Sequence, residues 1–390
     1  EACEYLTKVL GKSPLLLKEL DLSGEKLGDL DGEKLSALLM DSHCKVEKIK
    51  LNNCELTEES CSVLATVLSS KTILKEMNLN NSRLLDSGVK EICEGLKNPV
   101  CELNILNPAA EEACDYLTKV LGKSPLLLKE LDLSGEKLGD LDGEKLSALL
   151  MDSHCKVEKI KLNNCELTEE SCSVLATVLS SKTILKEMNL NNSRLLDSGV
   201  KEICEGLKNP VCELNILKLR DCDLTQKSCS ALAAVLRSNT SLKELDMSNN
   251  NLQDSGVKKL QSGLENTNCT LKKLRLRDCD LTQKSCSALA AVLRSNTSLK
   301  ELDMSNNNLQ DSGVKKLQSG LENTNCTLKK LRLCNCSITE KGYKSLASAL
   351  RSNPSHLIEL DLTGNDPGPS GVKKLSDLLQ DPNSQLKTLR

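Results

Sequence analysis

The sequence repeats a short apolar pattern at near-constant spacing along its whole length. The pattern is Leu-x-x-Leu-x-Leu, with Ile, Val or Met as substitutes, and it first stands at Leu17-Leu20-Leu22. The same frame returns at positions 46, 74, 103, 128, 157, 185, 214, 242, 271, 299, 328, 357 and 386, with one shorter step between 103 and 128. The period of about 28 to about 29 residues is that of small stacking units. A unit this small cannot bury its apolar face alone, so the period predicts units that stack on one another.

Each unit predicts a short strand, a turn and a helix. The strand places alternate leucines on its inner side, and the turn carries Cys or Asn, as in Leu51-Asn52-Asn53-Cys54-Glu55-Leu56. We expect these turn side chains to satisfy buried backbone groups or to fill space at the turn. Segments such as SCSALAAVLRSN have apolar residues at helical spacing, which predicts amphipathic helices. The predicted N-cap residues include Thr57, Asp86, Thr225 and Asp254.

The two layers of such a stack have different natural spacings. Neighbouring parallel strands lie about 4.8 Å apart, whereas packed helices need roughly 9 Å. This difference bends the stack towards its strands. We therefore predict an α/β leucine-rich-repeat solenoid, a horseshoe with a parallel β-sheet on the concave side and helices on the convex side. It would contain 14 repeats, as many as there are copies of the pattern.

The composition fits thin layers and a reduced environment. The chain has no Trp or Phe and only three Tyr, whereas an ordinary core of this size draws on aromatic bulk. The net charge is −3, from 52 basic and 55 acidic residues, so no global field favours nucleic acid or a membrane. The twenty cysteines fall at repeat-equivalent positions, which favours buried thiols over disulfides. The N-terminus does not read as a signal peptide, and the predicted location is cytoplasmic.

The repeats have been copied in blocks, and one joint is irregular. Residues 1–106 recur at 112–217, and residues 218–274 recur at 275–331, each with one change. We treat 1–390 as a single solenoid with an irregular joint at 106–110, where Pro108 replaces the third strand leucine. Proline cannot donate a hydrogen bond to the neighbouring strand. Both ends stop inside a repeat, which predicts a piece of a longer protein and leaves self-association through uncapped ends open.

The repeat subtype carries a family resemblance. The segments that carry it are LKLRDCDLTQKSCSALAAVLRSNTSLKELDMSNNNLQDSGVKKL and HLIELDLTGNDPGPSGVKKLSDLL, and one repeat type has Cys at its turn. They resemble the ribonuclease-inhibitor-like leucine-rich-repeat domains, most closely those of NOD-like receptors and particularly the expanded fish receptors. The resemblance covers essentially the whole chain. It implies a sensing or autoinhibitory domain of a cytosolic innate-immune receptor, whose nucleotide-binding domain this chain lacks.

No motif in the chain predicts catalysis, a cofactor or a metal. Gly11-Lys12-Ser13 and its copy Gly122-Lys123-Ser124 lack the earlier glycine of a phosphate-binding loop and are followed by proline, which is typical of a helix end. Cys334-Asn335-Cys336 has no second ligand pair, although a zinc site needs about four converging ligands. The three histidines show no arrangement with Ser, Cys or Asp that would support nucleophilic catalysis.

The polar positions of the inner strands alternate in charge from one repeat to the next. Acidic strands alternate with basic ones, which favours lateral ion pairs that keep the sheet soluble and also offers a ligand surface. The two interpretations are compatible. The candidate partner-binding residues are Arg220, Glu244, Asp246, Lys273, Arg275, Arg277, Glu301, Asp303, Lys330, Arg332, Glu359 and Asp361.

These observations predict a protein-interaction module and not an enzyme. The partner would be a protein held on the concave face or the rim, and neither a membrane nor a nucleic acid is expected as the ligand. A ribonuclease-inhibitor-like enzyme inhibitor is the alternative, although aromatic anchors dominate tight protein interfaces and are scarce here. An assembled or designed scaffold also stays open, because the copied blocks are nearly identical.

Overall fold

The structure is a computed structural model of the 390-residue chain. It describes residues 17–27, 29–79, 82, 86–107, 127–135, 140–238, 241–295 and 298–390, and side chains there except at 26–32, 86 and 140–143. The chain divides into two compact units, Glu1–Met188 and Asn189–Arg390. Residues 11–13, 108–110 and 122–124, in which the sequence predicted two helix ends and part of the joint, lie outside the described residues.

In the first unit, the strands of the main sheet are parallel and follow one another in chain order, and helices lie between them wherever the intervening segment is described. A short second sheet pairs β2 with β4. The strands are β1 (Glu19–Asp21), β2 (Lys26–Leu27), β3 (Lys48–Lys50), β4 (Glu55–Leu56), β5 (Glu76–Asn78), β6 (Ile105–Asn107), β7 (Glu130–Asp132) and β8 (Lys159–Lys161). The helices are α1 (Asp29–Met40), α2 (Glu58–Leu68), α3 (Asp86–Leu96), α4 (Asp140–Met151) and α5 (Glu169–Leu179). Strand β9 (Glu187–Asn189) lies at the boundary between the units.

The second unit repeats the same plan, with each strand paired in parallel to the next. Its strands are β10 (Ile216–Lys218), β11 (Glu244–Asp246), β12 (Lys273–Arg275), β13 (Glu301–Asp303), β14 (Lys330–Arg332), β15 (Glu359–Asp361) and β16 (Thr388–Leu389). Its helices are α6 (Leu196–Leu207), α7 (Ser228–Arg237), α8 (Gln253–Leu264), α9 (Gln283–Ser295), α10 (Gln310–Leu321), α11 (Glu340–Ser352) and α12 (Gly368–Gln380). Both units are leucine-rich-repeat solenoids, which confirms the predicted α/β class.

The core of each repeat lies between its strand and its helix. The central strand residue, such as Leu245 or Leu274, is fully buried, and so are Leu232 and Leu236 on the inner face of α7. Leucine dominates this layer, and Ile, Val, Met, Ala and Cys fill most of the rest. The core is therefore aliphatic, as the absence of Phe and Trp predicts.

Buried turns are satisfied by the Asn and Cys side chains that the sequence singled out. The amide of Asn250 donates to the carbonyls of Leu219 and Met247 at 2.8 Å, and its oxygen accepts from the Cys222 amide at 3.0 Å. The Cys222 thiol in turn donates to the Leu190 carbonyl at 3.0 Å. Unpaired buried backbone groups are costly, so this pattern of bonds explains why each turn needs an amide or a thiol.

Glycines bring certain helices into close contact. A Cβ added at Gly263 of α8 would lie 2.6 Å from the carbonyl oxygen of Ala233 in α7. In the equivalent contact, a Cβ added at Gly320 of α10 would lie 2.8 Å from the carbonyl oxygen of Ala290 in α9. Only a residue without a side chain fits at such a distance. Helices α7 and α8, and likewise α9 and α10, therefore pack backbone against backbone.

The predicted helix caps are partly confirmed and partly wrong. The hydroxyl of Thr57 accepts from the Ser60 amide at 3.1 Å, so Thr57 is the N-cap of α2. Thr225 lies three residues before the first residue of α7. Asp254 was expected to cap its own helix, but it stands inside the first turn of α8. Its carboxylate accepts instead from the Thr282 amide at 2.9 Å and from the Ser285 amide at 3.0 Å, so it caps the start of the next repeat's helix.

Candidate interaction surface

The candidate surface is the side of the sheet that faces away from the helices, which we call the open face. In the three-residue strands the middle residue points into the core, and the residues on either side of it are more exposed. This alternation follows from the period of two in a strand. Ten of the twelve residues predicted for partner binding occupy such outward strand positions, and Arg220 and Arg277 lie two residues beyond the ends of β10 and β12.

The register sets opposite charges side by side at four successive strand boundaries of the second unit. In a parallel sheet, residues at the same level on adjacent strands are neighbours, so alternating strands of opposite sign bring their charged ends together. The facing pairs are Glu244 with Lys273, Asp246 with Arg275, Lys273 with Glu301, Arg275 with Asp303, Glu301 with Lys330, Asp303 with Arg332, Lys330 with Glu359 and Arg332 with Asp361.

The lysines at the first position of β12 and β14 form ion pairs with the strands on both sides. The Nζ of Lys273 lies 3.4 Å from the Glu244 carboxylate and 3.3 Å from that of Glu301. Lys330 repeats the arrangement, with 3.6 Å to Glu301 and 3.6 Å to Glu359. All five side chains are half-buried. The charges of this row therefore neutralise one another along the sheet.

The arginines at the third position of β12 and β14 reach diagonally across the sheet. Arg275 contacts the carboxylate of Glu244 and lies 3.5 Å from that of Asp246. Arg332 is bonded to Glu359 at 3.1 Å, on the strand that follows. Each arginine thus prefers the glutamate of a neighbouring strand to the aspartate directly opposite, because the longer glutamate side chain extends farther over the sheet.

The aspartates are held by their own turns. Asp246 accepts from the Ser248 amide at 3.0 Å and is 9% exposed. Burial raises the pKa of Asp361, but bonds from the hydroxyl and the amide of Thr363 outweigh this effect and lower that pKa below 3.8. The equivalent pair in β13 is Asp303 with Ser305. These carboxylates have little capacity left for a ligand.

Arg220 and Arg277 differ from the other cations of the open face. Both side chains are exposed, and neither has a carboxylate within ion-pair distance among the residues that the structure describes. Arg277 lies 3.2 Å from the side-chain amide of Asn306, and Arg220 follows β10 at the corresponding place. Of the twelve candidate residues, these two offer free charge.

The open face of the first unit carries the same pairing. Lys159 lies 3.2 Å from Glu130 and 3.8 Å from Glu187, and Lys161 contacts Glu130 and lies 3.5 Å from Asp132. The lateral ion pairs predicted from the sequence are therefore present in both units. The role of the open face as a ligand surface remains a prediction.

The cysteines are buried parts of the repeats. All eighteen in the described residues are free thiols, and sixteen are buried. Burial raises the pKa of Cys279, Cys286 and Cys336 to about 12, which keeps them protonated and unreactive. Cys334 is half-buried and Cys336 buried, and both lie in the turn that follows β14. In the part of the chain that the structure describes, His, Cys, Asp and Glu form no cluster suited to a metal, and no helix is long and apolar enough to span a bilayer.

Sequence reasoning missed the bonds that link one repeat to the next on the helical side. Asp197, Asp254 and Asp311 each stand in the first turn of a helix and bond to the start of the following helix. Burial raises the pKa of Asp197, but bonds from Ser228 and Thr225 outweigh it and lower that pKa below 3.8. The recurring Asp-Ser-Gly-Val motif was the available signal, and it was assigned to local capping.

Comparison with known proteins supports the subtype seen in the sequence. A leucine-rich-repeat family model matches residues 238–260, 267–290, 295–317 and 353–376. Mouse ribonuclease inhibitor is 38% identical over 328 residues, which cover 82% of this chain and 71% of that protein. Human NACHT, LRR and PYD domains-containing protein 12 is 37% identical over 80% of this chain, a stretch that spans 30% of that longer protein.

A solved structure is similar in fold alone. An internalin from Listeria monocytogenes gives a TM-score of 0.51 at 16% identity, covering all of this chain and 94% of that one. Similarity to ribonuclease inhibitor is much stronger in sequence identity. The chain therefore belongs to the ribonuclease-inhibitor-like family of leucine-rich-repeat proteins, to which the repeat regions of NACHT, LRR and PYD proteins are also similar.

Proposed function

We propose that the chain is a protein-interaction module, the ligand-sensing or autoinhibitory leucine-rich-repeat domain of a cytosolic NOD-like receptor. The observation that carries the proposal is the 37% identity to a NACHT, LRR and PYD protein over 80% of this chain. Its role is binding and not catalysis, and it needs no cofactor. The partner is a protein held on the open face of the second unit by the candidate residues named above.

The chemistry of the open face sets the character of this binding. The ion pairs along β11–β15 leave Arg220 and Arg277 as the cations ready for an acidic partner. An arginine can grip a carboxylate with two parallel hydrogen bonds. Where a partner displaces a lateral pair, each new bond replaces an existing one. Recognition of this kind gives fast, salt-sensitive association of moderate affinity.

The test compares capture by matched variants. The wild-type chain, an Arg220→Glu/Arg277→Glu variant and a Lys272→Glu/Lys329→Glu control are immobilised, and the captured cellular proteins are quantified by mass spectrometry at two salt concentrations. The control changes the charge equally, at exposed loop positions of the same unit. We expect a specific partner to be lost with the arginine variant and at high salt, and to be retained by the control. A partner retained equally by all three proteins would place binding on the helices, the rim or another region.

Inhibition of a ribonuclease is the second candidate function, favoured by the 38% identity to the mouse inhibitor. Tyr343, the tyrosine in the described residues, is buried in α11 and bonds to the Leu362 carbonyl, so the described open face has no aromatic anchor. Tight interfaces depend on such anchors. We expect the chain to leave a ribonuclease uninhibited at micromolar concentration. Inhibition at nanomolar concentration would establish the alternative and reject the receptor proposal.

A further inference from the structure

Helices α7–α12 of the second unit form a strongly basic surface, whereas α6 carries one lysine and three acidic residues. Helices α7–α12 contain twelve lysines and arginines and only four acidic residues, Asp254, Asp311, Glu340 and Asp377. Eleven of the twelve basic side chains are exposed, and Lys316 is half-buried. We call this set the basic surface: Arg237, Lys258, Lys259, Lys284, Arg294, Lys315, Lys316, Lys341, Lys344, Arg351, Lys373 and Lys374.

The charges of the basic surface are not neutralised by neighbouring carboxylates. Arg237 donates to the Ser262 hydroxyl at 2.8 Å, and Arg294 donates to the Ser319 hydroxyl at 2.9 Å. Within the described residues, Lys344 is the member that forms an ion pair, with Glu340 on its own helix. Neutral partners hold a cation in place without cancelling its charge. This differs from the open face, where Lys273, Lys330, Arg275 and Arg332 already bind carboxylates.

Two of the four acidic residues on these helices are also engaged elsewhere. The carboxylate of Asp254 accepts from the Thr282 hydroxyl at 2.6 Å and from two backbone amides. Asp311 makes the equivalent bonds to Thr339 and Gly342. Their lone pairs are directed at the next helix, so they do little to offset the lysines.

The helical surface of the first unit has the opposite sign. Its helices α1–α5 carry eight glutamates with described side chains and three lysines, Lys34, Lys90 and Lys145. Seven of these glutamates are exposed. We call this set the acidic surface: Glu33, Glu58, Glu59, Glu91, Glu94, Glu144, Glu169 and Glu170.

We propose that the acidic surface of one copy of this chain binds the basic surface of a second copy. The two surfaces are complementary in charge and are built on the same repeat. Paired glutamates recur at Glu58-Glu59 and Glu169-Glu170, and paired lysines recur once in every two repeats, at 258–259, 315–316 and 373–374. Because one repeat sets the spacing of both surfaces, several opposite charges can meet in a single contact.

A contact of this kind joins two different surfaces and leaves one of each free. It is therefore heterologous, and it can extend from a dimer to longer assemblies unless it closes into a ring. Salt controls it strongly, since exposed charges interact over about 30 Å at 0.01 M ionic strength and about 8 Å at 0.15 M. A second copy is favoured over another polyanion because the complementary surface belongs to the chain itself.

Sedimentation velocity of the full chain at low and at physiological ionic strength tests the proposal. We expect concentration-dependent association near 0.01 M salt and an apparent Kd at least about tenfold weaker near 0.15 M. Two charge-reversal variants identify the surfaces. One is Lys258→Glu/Lys315→Glu/Lys341→Glu and the other is Glu33→Lys/Glu144→Lys/Glu170→Lys. The first variant lowers the net charge of α7–α12 from +8 to +2, and the second changes that of the described side chains of α1–α5 from −5 to +1. Each variant alone should therefore associate far more weakly than the wild type.

Mixing the two variants restores complementary surfaces, so the mixture should associate at low salt; this result also shows that both variants are folded. The matched control is Lys243→Glu/Lys272→Glu/Lys329→Glu, at exposed positions between helices and strands of the second unit. It should associate like the wild type. A wild type that stays monomeric near 0.01 M salt, a mixture that does not associate, or a control that also associates far more weakly would each overturn the proposal. A monomeric wild type that binds polyglutamate would assign the basic surface to an acidic partner instead.

Discussion

Individual residues of the open face show where sequence reasoning stops. The alternation of charge between strands was enough to predict lateral pairs, because a period of two fixes which side chains point outward. It could not show that Arg275 prefers Glu244 to Asp303, since that choice depends on side-chain reach. Nor could the alternation distinguish Arg277, which lies against the side chain of Asn306, from the ion-paired cations near it. The candidate list thus combined free and neutralised charges.

The buried thiols predict a loss of stability in alkali. Burial raises the pKa of Cys61, Cys93, Cys204, Cys222, Cys229, Cys279, Cys286 and Cys336 from 9.0 to about 12. Between these two values the unfolded chain loses thiol protons that the folded chain keeps. The stabilisation of the fold by each buried, protonated thiol is therefore complete below about pH 9. It is lost as the pH rises towards about 12, at roughly 1.4 kcal/mol per pH unit for each thiol.

Urea unfolding under reducing conditions between about pH 8 and about pH 10.5 measures this effect. A Cys229→Ala/Cys286→Ala variant serves as the comparison. Its free energy of unfolding should decline less steeply with pH than that of the wild type, whatever its stability at the lower pH. Equal slopes would mean that these thiols ionise alike in the folded and unfolded chains.

At the scale of elements, the strands and helices were predictable, but the bonds between repeats were not. Strand positions follow from the leucine frame, and helix faces follow from the spacing of apolar residues. A residue such as Asp254 satisfies the local rule for an N-cap, so sequence alone assigns it to its own helix. Its actual acceptor role depends on the next helix lying beside it, which is a fact of packing. The close contact of Gly263 with Ala233 is hidden from the sequence for the same reason.

The cap between repeats gives a stability prediction. Asp197 accepts from the Thr225 amide at 2.9 Å and hydroxyl at 2.6 Å. We expect Asp197→Ala to lower the free energy of unfolding by about 1 kcal/mol or more at neutral pH, as for the loss of a helix cap. The pKa of Asp197 is lowered in the folded chain, so this stabilisation is present above about pH 4 and is lost as the pH falls through the folded value.

Urea unfolding of this variant at about pH 7 and about pH 3 provides the check. Asp377→Ala, at an exposed position on α12, is the matched control and should have little effect. The difference between wild type and Asp197→Ala should shrink at the lower pH. A variant as stable as the control at neutral pH would show that the bonds across the repeat boundary contribute nothing.

For the whole molecule, summed composition concealed the distribution of charge. A net charge of −3 suggested no directional field, yet the helical surfaces of the two units carry opposite excesses. The separation could have been found from the sequence by counting charges helix by helix. The sum concealed it because the acidic excess of the earlier helices cancels the basic excess of the later ones. On the open face, by contrast, the strand register places opposite charges side by side, so this face is nearly neutral.

The irregular joint predicts uneven local stability along the chain. Residues 106–110 contain Pro108 in place of a strand leucine, and β6 pairs with β7 at only two residue pairs. Since proline cannot donate to a neighbouring strand, we expect local opening to concentrate there. Hydrogen exchange should be faster at the joint than at Leu190 or Leu276, whose amides bond to the next strand region. Equally slow exchange would contradict this expectation.

The cap supplied by one repeat to the next has a consequence for how such a chain grows. The start of α9 is completed by Asp254, which is encoded one repeat before its partner Thr282. A gene that gained a single repeat would place the wrong helix type beside each cap and each glycine contact. An insertion of two repeats brings donor and acceptor together and restores the order of the two repeat types. The near-identical segments 218–274 and 275–331 each have this length, so unequal recombination in such steps can lengthen the protein without disturbing any existing helix start.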